Sequence, residues 1–189
     1  MREELLQNGF DAAEVHILPP VVQFEEVVPS PPTDLPNILY VGQLIRGKGV
    51  DLLLHAVQRI QVPFKLSIVG TGNAESALIA QCESSGLSDR VQFLGWVPHD
   101  ALYTYYDAAR LVAVPSRWPE PFGMIGLEAM RHSRPVVGFD VGGISDWLVH
   151  EQTGYLVPEQ DVDTMAKSLE RLLQDKGLAA TLGQNGYEH

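Results

Sequence analysis

Ser116-Arg117-Trp118-Pro119-Glu120-Pro121-Phe122-Gly123-Met124-Ile125-Gly126-Leu127-Glu128-Ala129-Met130 follows a short apolar run, Leu111 to Val114, that reads as a buried strand. A proline-rich turn then leads into a helix. Its start is expected at Pro121, because a first-turn residue has no intrahelical use for the N–H that proline lacks. Glu120 and Glu128 stand eight residues apart. If both ride on or just before one helix, at ~1.5 Å rise per residue, their backbones lie roughly 12 Å apart. Paired carboxylates acting on one bond sit within ~5–10 Å. The wider spacing suits a grip on two ends of one long ligand. Gly123 and Gly126 are expected to leave the helix start bare, open to a ligand or another backbone.

Outward from this stretch the chain alternates strand and helix. Ile38 to Val41, Phe64 to Val69 and Val91 to Leu94 read as strands before it, and Pro135 to Phe139 and Gly154 to Val157 as strands after it. Helices are expected from about Gly49 to Ile60, after Gly70-Thr71-Gly72-Asn73 through about Ser85, from His99 to Ala109, briefly near Trp147, and from Val162 to Leu173. Strands this apolar, separated by helices, predict an α/β domain: a doubly wound parallel sheet covered on both faces, Rossmann-like.

Ligands of such sheets bind where the carboxyl ends of strands lead into helix N-termini, and the glycine-rich segments fall there. Gly42-Gln43-Leu44-Ile45-Arg46-Gly47-Lys48-Gly49 follows the first strand, and its two cations among glycines before a helix suit a diphosphate. It is not a P-loop, since Gly-x-x-x-x-Gly-Lys-Ser/Thr is absent. Gly70-Thr71-Gly72-Asn73-Ala74-Glu75 begins like the dinucleotide fingerprint but carries Glu75 where a third Gly or Ala belongs, which disfavours NAD. Gly95-Trp96-Val97-Pro98 offers an apolar ledge for a base, and Asp140-Val141-Gly142-Gly143-Ile144 a flat glycine surface for phosphate or sugar.

At 189 residues with 45% hydrophobic and 20% charged residues, the chain fits one soluble domain with a full-sized core. No apolar run approaches the ~20 residues of a membrane helix, and Met1-Arg2-Glu3-Glu4 lacks a signal-peptide profile, so a cytoplasmic location is expected. The formal charge of −11 argues against nucleic acid and anionic membranes as partners, and makes any anion site a local matter. Cys82 is the single cysteine and is expected as a buried thiol. His16, His55, His99, His132, His150 and His189 show no metal-ligand spacing.

Residues 21–36, with Pro29, Pro31, Pro32, Pro36 and acidic Glu25 and Glu26, have linker composition. Ahead of them Arg2 to Asn8 reads as a short helix closed by Gly9, and Val15 to Leu18 as a short strand. A helix and strand upstream of a linker look like the tail of another domain.

Taken together, the order of motifs resembles one family. Gly-x-Leu-x-x-x-Lys-Gly follows the first strand, Pro-Ser-x-x-x-Glu-Pro-Phe-Gly with Glu-Ala-Met the fourth, and Gly-Gly-Ile the fifth. The chain is similar to the C-terminal, donor-binding half of a GT-B glycosyltransferase of family 4, the group 1 glycosyltransferases. The resemblance covers residues 37–175. It implies that 1–20 are the tail of an N-terminal acceptor domain, 21–36 the interdomain linker and 176–189 a truncated terminal helix. It further implies a metal-free, cofactor-free retaining transfer of a hexose from a nucleoside diphosphate sugar, UDP ahead of GDP, with the fragment alone inactive.

Residue by residue, the resemblance puts the diphosphate on Gly42, Gln43 and Lys48. Gln43 replaces the usual arginine, and Arg46 stands near enough to compensate. It puts the transferred sugar on Glu120, with Ser116 and the backbone N–H groups of Phe122, Gly123 and Met124 beside it. Glu128 takes the ribose hydroxyls, Trp96, Val97 and Pro98 the base, and Gly142 and Gly143 the phosphate or sugar. Glu120, Lys48 and Arg46 are the catalytic candidates. Two other readings stay open: a nucleotide-binding regulatory module without transferase activity, and a dehydrogenase-type dinucleotide domain.

Overall fold

The computed structural model describes residues 2–16, 27–28 and 30–189. Of the strand expected over Val15 to Leu18, Ile17 and Leu18 lie outside those residues, as do residues 19–20 of the expected tail and residues 21–26 and Pro29 of the expected linker. A short helix, α1 (Arg2–Gln7), comes first. Six strands then form one parallel sheet: β1 (Asn37–Val41), β2 (Lys65–Val69), β3 (Val91–Gly95), β4 (Leu111–Val114), β5 (Val136–Phe139) and β6 (Gly154–Val157). The helices are α2 (Val50–Val57), α3 (Glu75–Ser84), α4 (His99–Ala108), α5 (Met124–Arg131), α6 (Val162–Gln174) and α7 (Lys176–Glu188).

The strand order is β3-β2-β1-β4-β5-β6. The chain winds outward from β1 to β3, then returns to lay β4 against the other side of β1 and winds outward again. That reversal opens a crevice at the carboxyl ends of β1 and β4, where doubly wound sheets take their ligands. The central strands explain why their sequence is so apolar: every residue of β4 and β5 is buried, as are Ile38, Leu39 and Tyr40 of β1. A strand covered on both faces has no solvent side on which to place a polar residue.

The helices bury the faces their periodicity announces. In α2, Val50, Leu53, Leu54 and Val57 are buried; α2 packs beside α3 and α6, and α6 buries Met165, Leu169 and Leu172 over β4, β5 and β6. α7 lies against α5, α6 and β6. Cys82 is buried in α3, and burial pushes its thiol pKa up.

α6 is capped by Asp161, whose Oδ1 accepts from the Thr164 N–H at 2.9 Å and whose Oδ2 accepts from the Thr164 hydroxyl at 2.7 Å. These bonds hold the carboxyl pKa below its ordinary 3.8, the backbone N–H contributing most. A carboxyl depressed on folding stabilises above its ordinary pKa, and that contribution fades as pH falls through the folded value. The melting temperature of Asp161→Ala should therefore lie below that of the parent near neutral pH, and the gap should narrow in melts at about pH 2.

Most element ends lie within a few residues of the sequence reading, and one difference bears on the site. α5 begins at Met124, after Gly123 in the left-handed region at φ 78°, and not at Pro121. A helix from Pro121 would need the Glu120 carbonyl to accept from the Met124 N–H. That carbonyl instead accepts from the Gly143 N–H at 2.7 Å, and the Phe122 carbonyl from the Trp147 indole at 2.5 Å. The loop after β5 thus takes over acceptors that an earlier helical turn would need, and Glu120 is left in the loop.

Candidate functional site

Loops from β1, β2, β4 and β5 interlock at the crevice, and their glycines let them do so. The Gly42 N–H donates to Val69 O at 3.0 Å and the Leu44 N–H to Thr71 O at 2.9 Å, stitching the β1 loop to the β2 loop. A Cβ on Gly70 would lie 1.8 Å from Gly42 O, and one on Gly72 would lie 2.2 Å from Leu44 O. The Gly-x-Gly that resembled a fragment of a dinucleotide fingerprint therefore has a packing reason: two loops touch backbone to backbone.

From the other side the β4 loop docks on the β1 loop. The Arg117 and Trp118 N–H groups both donate to Gly47 O, at 2.9 and 3.1 Å, and the Trp118 side chain covers Gly47. A short 3-10 turn, Arg46–Lys48, then aims Lys48 at the β4 loop. Its Nζ lies 2.5 Å from Glu120 Oε1, and the Ser116 hydroxyl donates to the same oxygen at 2.6 Å. Lys48, Ser116 and Glu120, separated by up to 72 positions, form one charge-assisted cluster. The Glu120 side chain is 11% exposed and that of Lys48 31%. Both donors sit on Oε1, so Oε2 is an acceptor without a protein donor among the described residues.

Tyr40 is the buttress beneath. It is buried at the end of β1, and its hydroxyl donates to the Gln43 carbonyl at 3.0 Å. Burial, and then the negative charge of Glu120, push its pKa far above the ordinary tyrosine value, so it stays a donor. Sequence reasoning passed over Tyr40, although a tyrosine ending an apolar strand beside a glycine loop needs a partner for its hydroxyl.

Gly142 and Gly143 complete the cluster from β5. Cβ atoms there would lie 2.3 Å from Glu120 O and 2.5 Å from Pro121 O. Their smoothness seats the Glu120–Pro121 backbone, and the Gly143 N–H is already engaged with Glu120 O. The start of α5 is likewise not bare. A Cβ on Gly126 would lie 1.9 Å from the Trp147 ring, which also lies against Gly123. The group that approaches these two glycines is an indole. The N–H groups of Phe122 and Gly123, two and three residues after Glu120, find no acceptor among the described residues.

Gly42 and Gln43 line a groove of about 640 Å³ together with Gly70 to Asn73, Trp96 and Val97. Trp96 is 72% exposed there, an aromatic face turned to solvent, and Pro98 caps the start of α4. Arg46 shares the turn of Lys48 but does not line this groove. It lines a separate cavity of about 440 Å³ with Asp51, Gln81 and Arg117, where Arg117 pairs with Asp51. Glu128, on α5, meets α4: its Oε2 accepts from the Tyr106 hydroxyl at 2.7 Å. Among the described residues no three His, Cys, Asp or Glu side chains form a metal-binding group, and no helix is long and apolar enough to cross a membrane.

Comparison with known proteins matches residues 22–189 to the family described as Glycosyl transferases group 1. An uncharacterized glycosyltransferase of Methanocaldococcus jannaschii is 37% identical over 150 residues, covering 78% of this chain and 38% of its own length. A TarM variant from S. aureus, solved in complex with Fondaparinux, alpha-GlcNAc-glycerol and UDP, superposes with a TM-score of 0.90 at 25% identity, over 99% of this chain and 38% of that one. The C-terminal domain of a group 1 glycosyl transferase (LpcC) from Francisella tularensis shares the fold, with a TM-score of 0.75 at 24% identity over 84% of this chain and 85% of that one. The chain thus spans 38% of the length of each of the first two, and about half or less of the other curated relatives it matches.

Proposed function

Because the chain belongs to the glycosyl transferases group 1 family and has the fold of a C-terminal domain of that family, we propose that it is the donor-binding half of a retaining, metal-independent hexosyltransferase. The donor is a nucleoside diphosphate sugar, UDP ahead of GDP, a preference supported by the UDP in the TarM complex. The acceptor is held by a domain outside this chain, preceding the 21–36 linker, and the enzyme works in the cytoplasm.

The observation that carries this proposal is the Lys48–Glu120–Ser116 cluster at the β1/β4 switch, beside the start of α5. A net charge of −11 repels a diphosphate at long range, so the site must hold one by short-range contacts. The Lys48 ammonium, the Phe122 and Gly123 N–H groups and the positive end of α5 supply them. Glu120 Oε2 takes a hydroxyl of the transferred sugar, Glu128 Oε1 the ribose, and Trp96, Val97 and Pro98 the base. As the bond from the anomeric carbon to the diphosphate breaks, negative charge grows on the leaving phosphate. Lys48 and the helix N-terminus stabilise that charge most where it is greatest.

Calorimetric titration of the 189-residue chain with UDP, GDP, UDP-glucose and NAD tests this. UDP and UDP-glucose should bind, the sugar nucleotide more tightly, and NAD should not. NAD binding as tight as UDP, or no binding by any nucleotide, would overturn the proposal. Transfer should be absent from the isolated chain and, in the full-length enzyme, unaffected by EDTA.

A further inference from the structure

We infer that Tyr106 is a positioning residue for ribose recognition, anchoring one oxygen of Glu128 so that the other is presented to the sugar of the nucleotide. This rests on the assignment of Glu128 to the ribose and adds the device that orients it. The Tyr106 hydroxyl donates to Glu128 Oε2 at 2.7 Å, and Oε1 has no donor among the described residues. A carboxylate with one oxygen held from within the protein has a defined direction for the other.

The anchor is itself fixed from three sides. Tyr106 is 1% exposed on α4. Its ring stacks on His132, one turn beyond Glu128, with centroids 5.1 Å apart and planes at 20°. The His132 Nδ1 lies 3.0 Å from Asp107 Oδ1, tying that ring back to α4. The Arg134 Nε donates to the Tyr106 carbonyl at 2.7 Å. The phenol therefore has little freedom to follow Glu128 if the glutamate swings; the glutamate must come to the phenol. Burial, then the charge of Glu128 and its hydrogen bond, push the Tyr106 pKa well above the ordinary tyrosine value, so the hydroxyl keeps its proton and its role as donor. The arrangement supplies orientation in advance of binding, which is where a ribose contact gains from a protein. It also couples α4, which begins at the Trp96–Pro98 ledge, to α5, which carries Glu128.

The test titrates the chain and its Tyr106→Phe variant with UDP and with 2′,3′-dideoxy-UDP, and compares the ratio of the two affinities. The parent should prefer UDP about tenfold, the scale of one charge-assisted hydrogen bond. Phenylalanine keeps the ring stacking, so the variant should bind dideoxy-UDP as the parent does and lose most of the preference. A purely structural role for Tyr106 would weaken both ligands together and leave the ratio unchanged, which would overturn the inference while the ribose assignment stands. A parent that binds UDP and dideoxy-UDP equally would overturn the ribose assignment, and this inference with it. Should Tyr106→Phe fail to fold, Asp107→Ala frees the His132 ring that is stacked on the phenol and leaves Tyr106 and Glu128 themselves intact. It should lower the preference with dideoxy-UDP binding unchanged, and an unchanged ratio would equally overturn the inference.

Discussion

Glu120→Ala should erase the preference of this chain for a sugar nucleotide over the bare nucleoside diphosphate, a loss of about tenfold or more. The sign of the two parts differs. Removing the carboxylate takes away Oε2, the acceptor proposed for a sugar hydroxyl. It also frees Lys48, whose Nζ now lies 2.5 Å from Oε1 and is partly neutralised by it. The bare diphosphate should therefore bind the variant no worse than the parent, or somewhat better, while the increment due to the sugar disappears. Calorimetry with UDP and UDP-glucose on both proteins reads the two effects separately. An unchanged increment would exclude sugar contact at Glu120 and favour the nucleotide-binding module without transferase activity. In the full-length enzyme the same substitution should depress turnover further, since a group that orients the sugar acts where the anomeric bond breaks.

Arg134→Met should strongly destabilise the domain. The Arg134 side chain is fully buried. Its guanidinium donates to Tyr106 O at 2.7 Å, Ser30 O at 2.7 Å, Asp107 O at 3.1 Å and the Ser30 hydroxyl at 2.8 Å. Burial pushes its pKa down and the charge of Asp107 opposes that shift. Methionine preserves most of the volume and removes the charge, but takes the guanidinium from the Ser30 and Asp107 carbonyls and leaves the Tyr106 carbonyl to the Ala109 N–H alone. At the lower end of about 1–3 kcal/mol for each of these two part-buried carbonyls, with the loss of the guanidinium's bond to the Ser30 hydroxyl added, the cost is a few kcal/mol, a sizeable part of the ~5–15 kcal/mol that holds a domain folded. A fall in melting temperature on the order of 10 °C is expected for a chain of this size. A melt within a degree or two of the parent would show that water or a neighbouring donor replaces the guanidinium. The substitution also removes the side chain that ties the Tyr106 carbonyl to the segment after α5, so the ribose preference should weaken in any fraction that remains folded.

Much of the fold was legible because its causes are local. β4 and β6 coincide with the apolar runs Leu111–Val114 and Gly154–Val157, since a strand buried on both faces can carry little else. α2 and α6 followed from apolar spacing, and the crevice from where glycines and cations fall after β1 and β4. The start of α5 was not legible. Proline at a first turn argued for Pro121, but Gly143 and Trp147, more than 20 positions away, take the Glu120 and Phe122 carbonyls. The glycines were legible as places of close approach but not by what. Gly126 meets an indole, Gly142 the Glu120 backbone and Gly70 the Gly42 carbonyl.

At the stretch around Glu120 and Glu128, residue types and spacing by themselves determined that two carboxylates stand near the start of a helix after a buried strand. They also determined that a lysine follows the first strand, and that the order of motifs is that of one family. Only the tertiary structure decided that Lys48 and Ser116 share Oε1 of Glu120, that Tyr106 holds Oε2 of Glu128, and that Arg46 stands in a separate cavity. The physical reason is range. Helical and strand periodicity is set by neighbours a few residues apart, whereas the partner of a carboxylate oxygen is set by packing between segments 22 and 72 positions apart in these two cases.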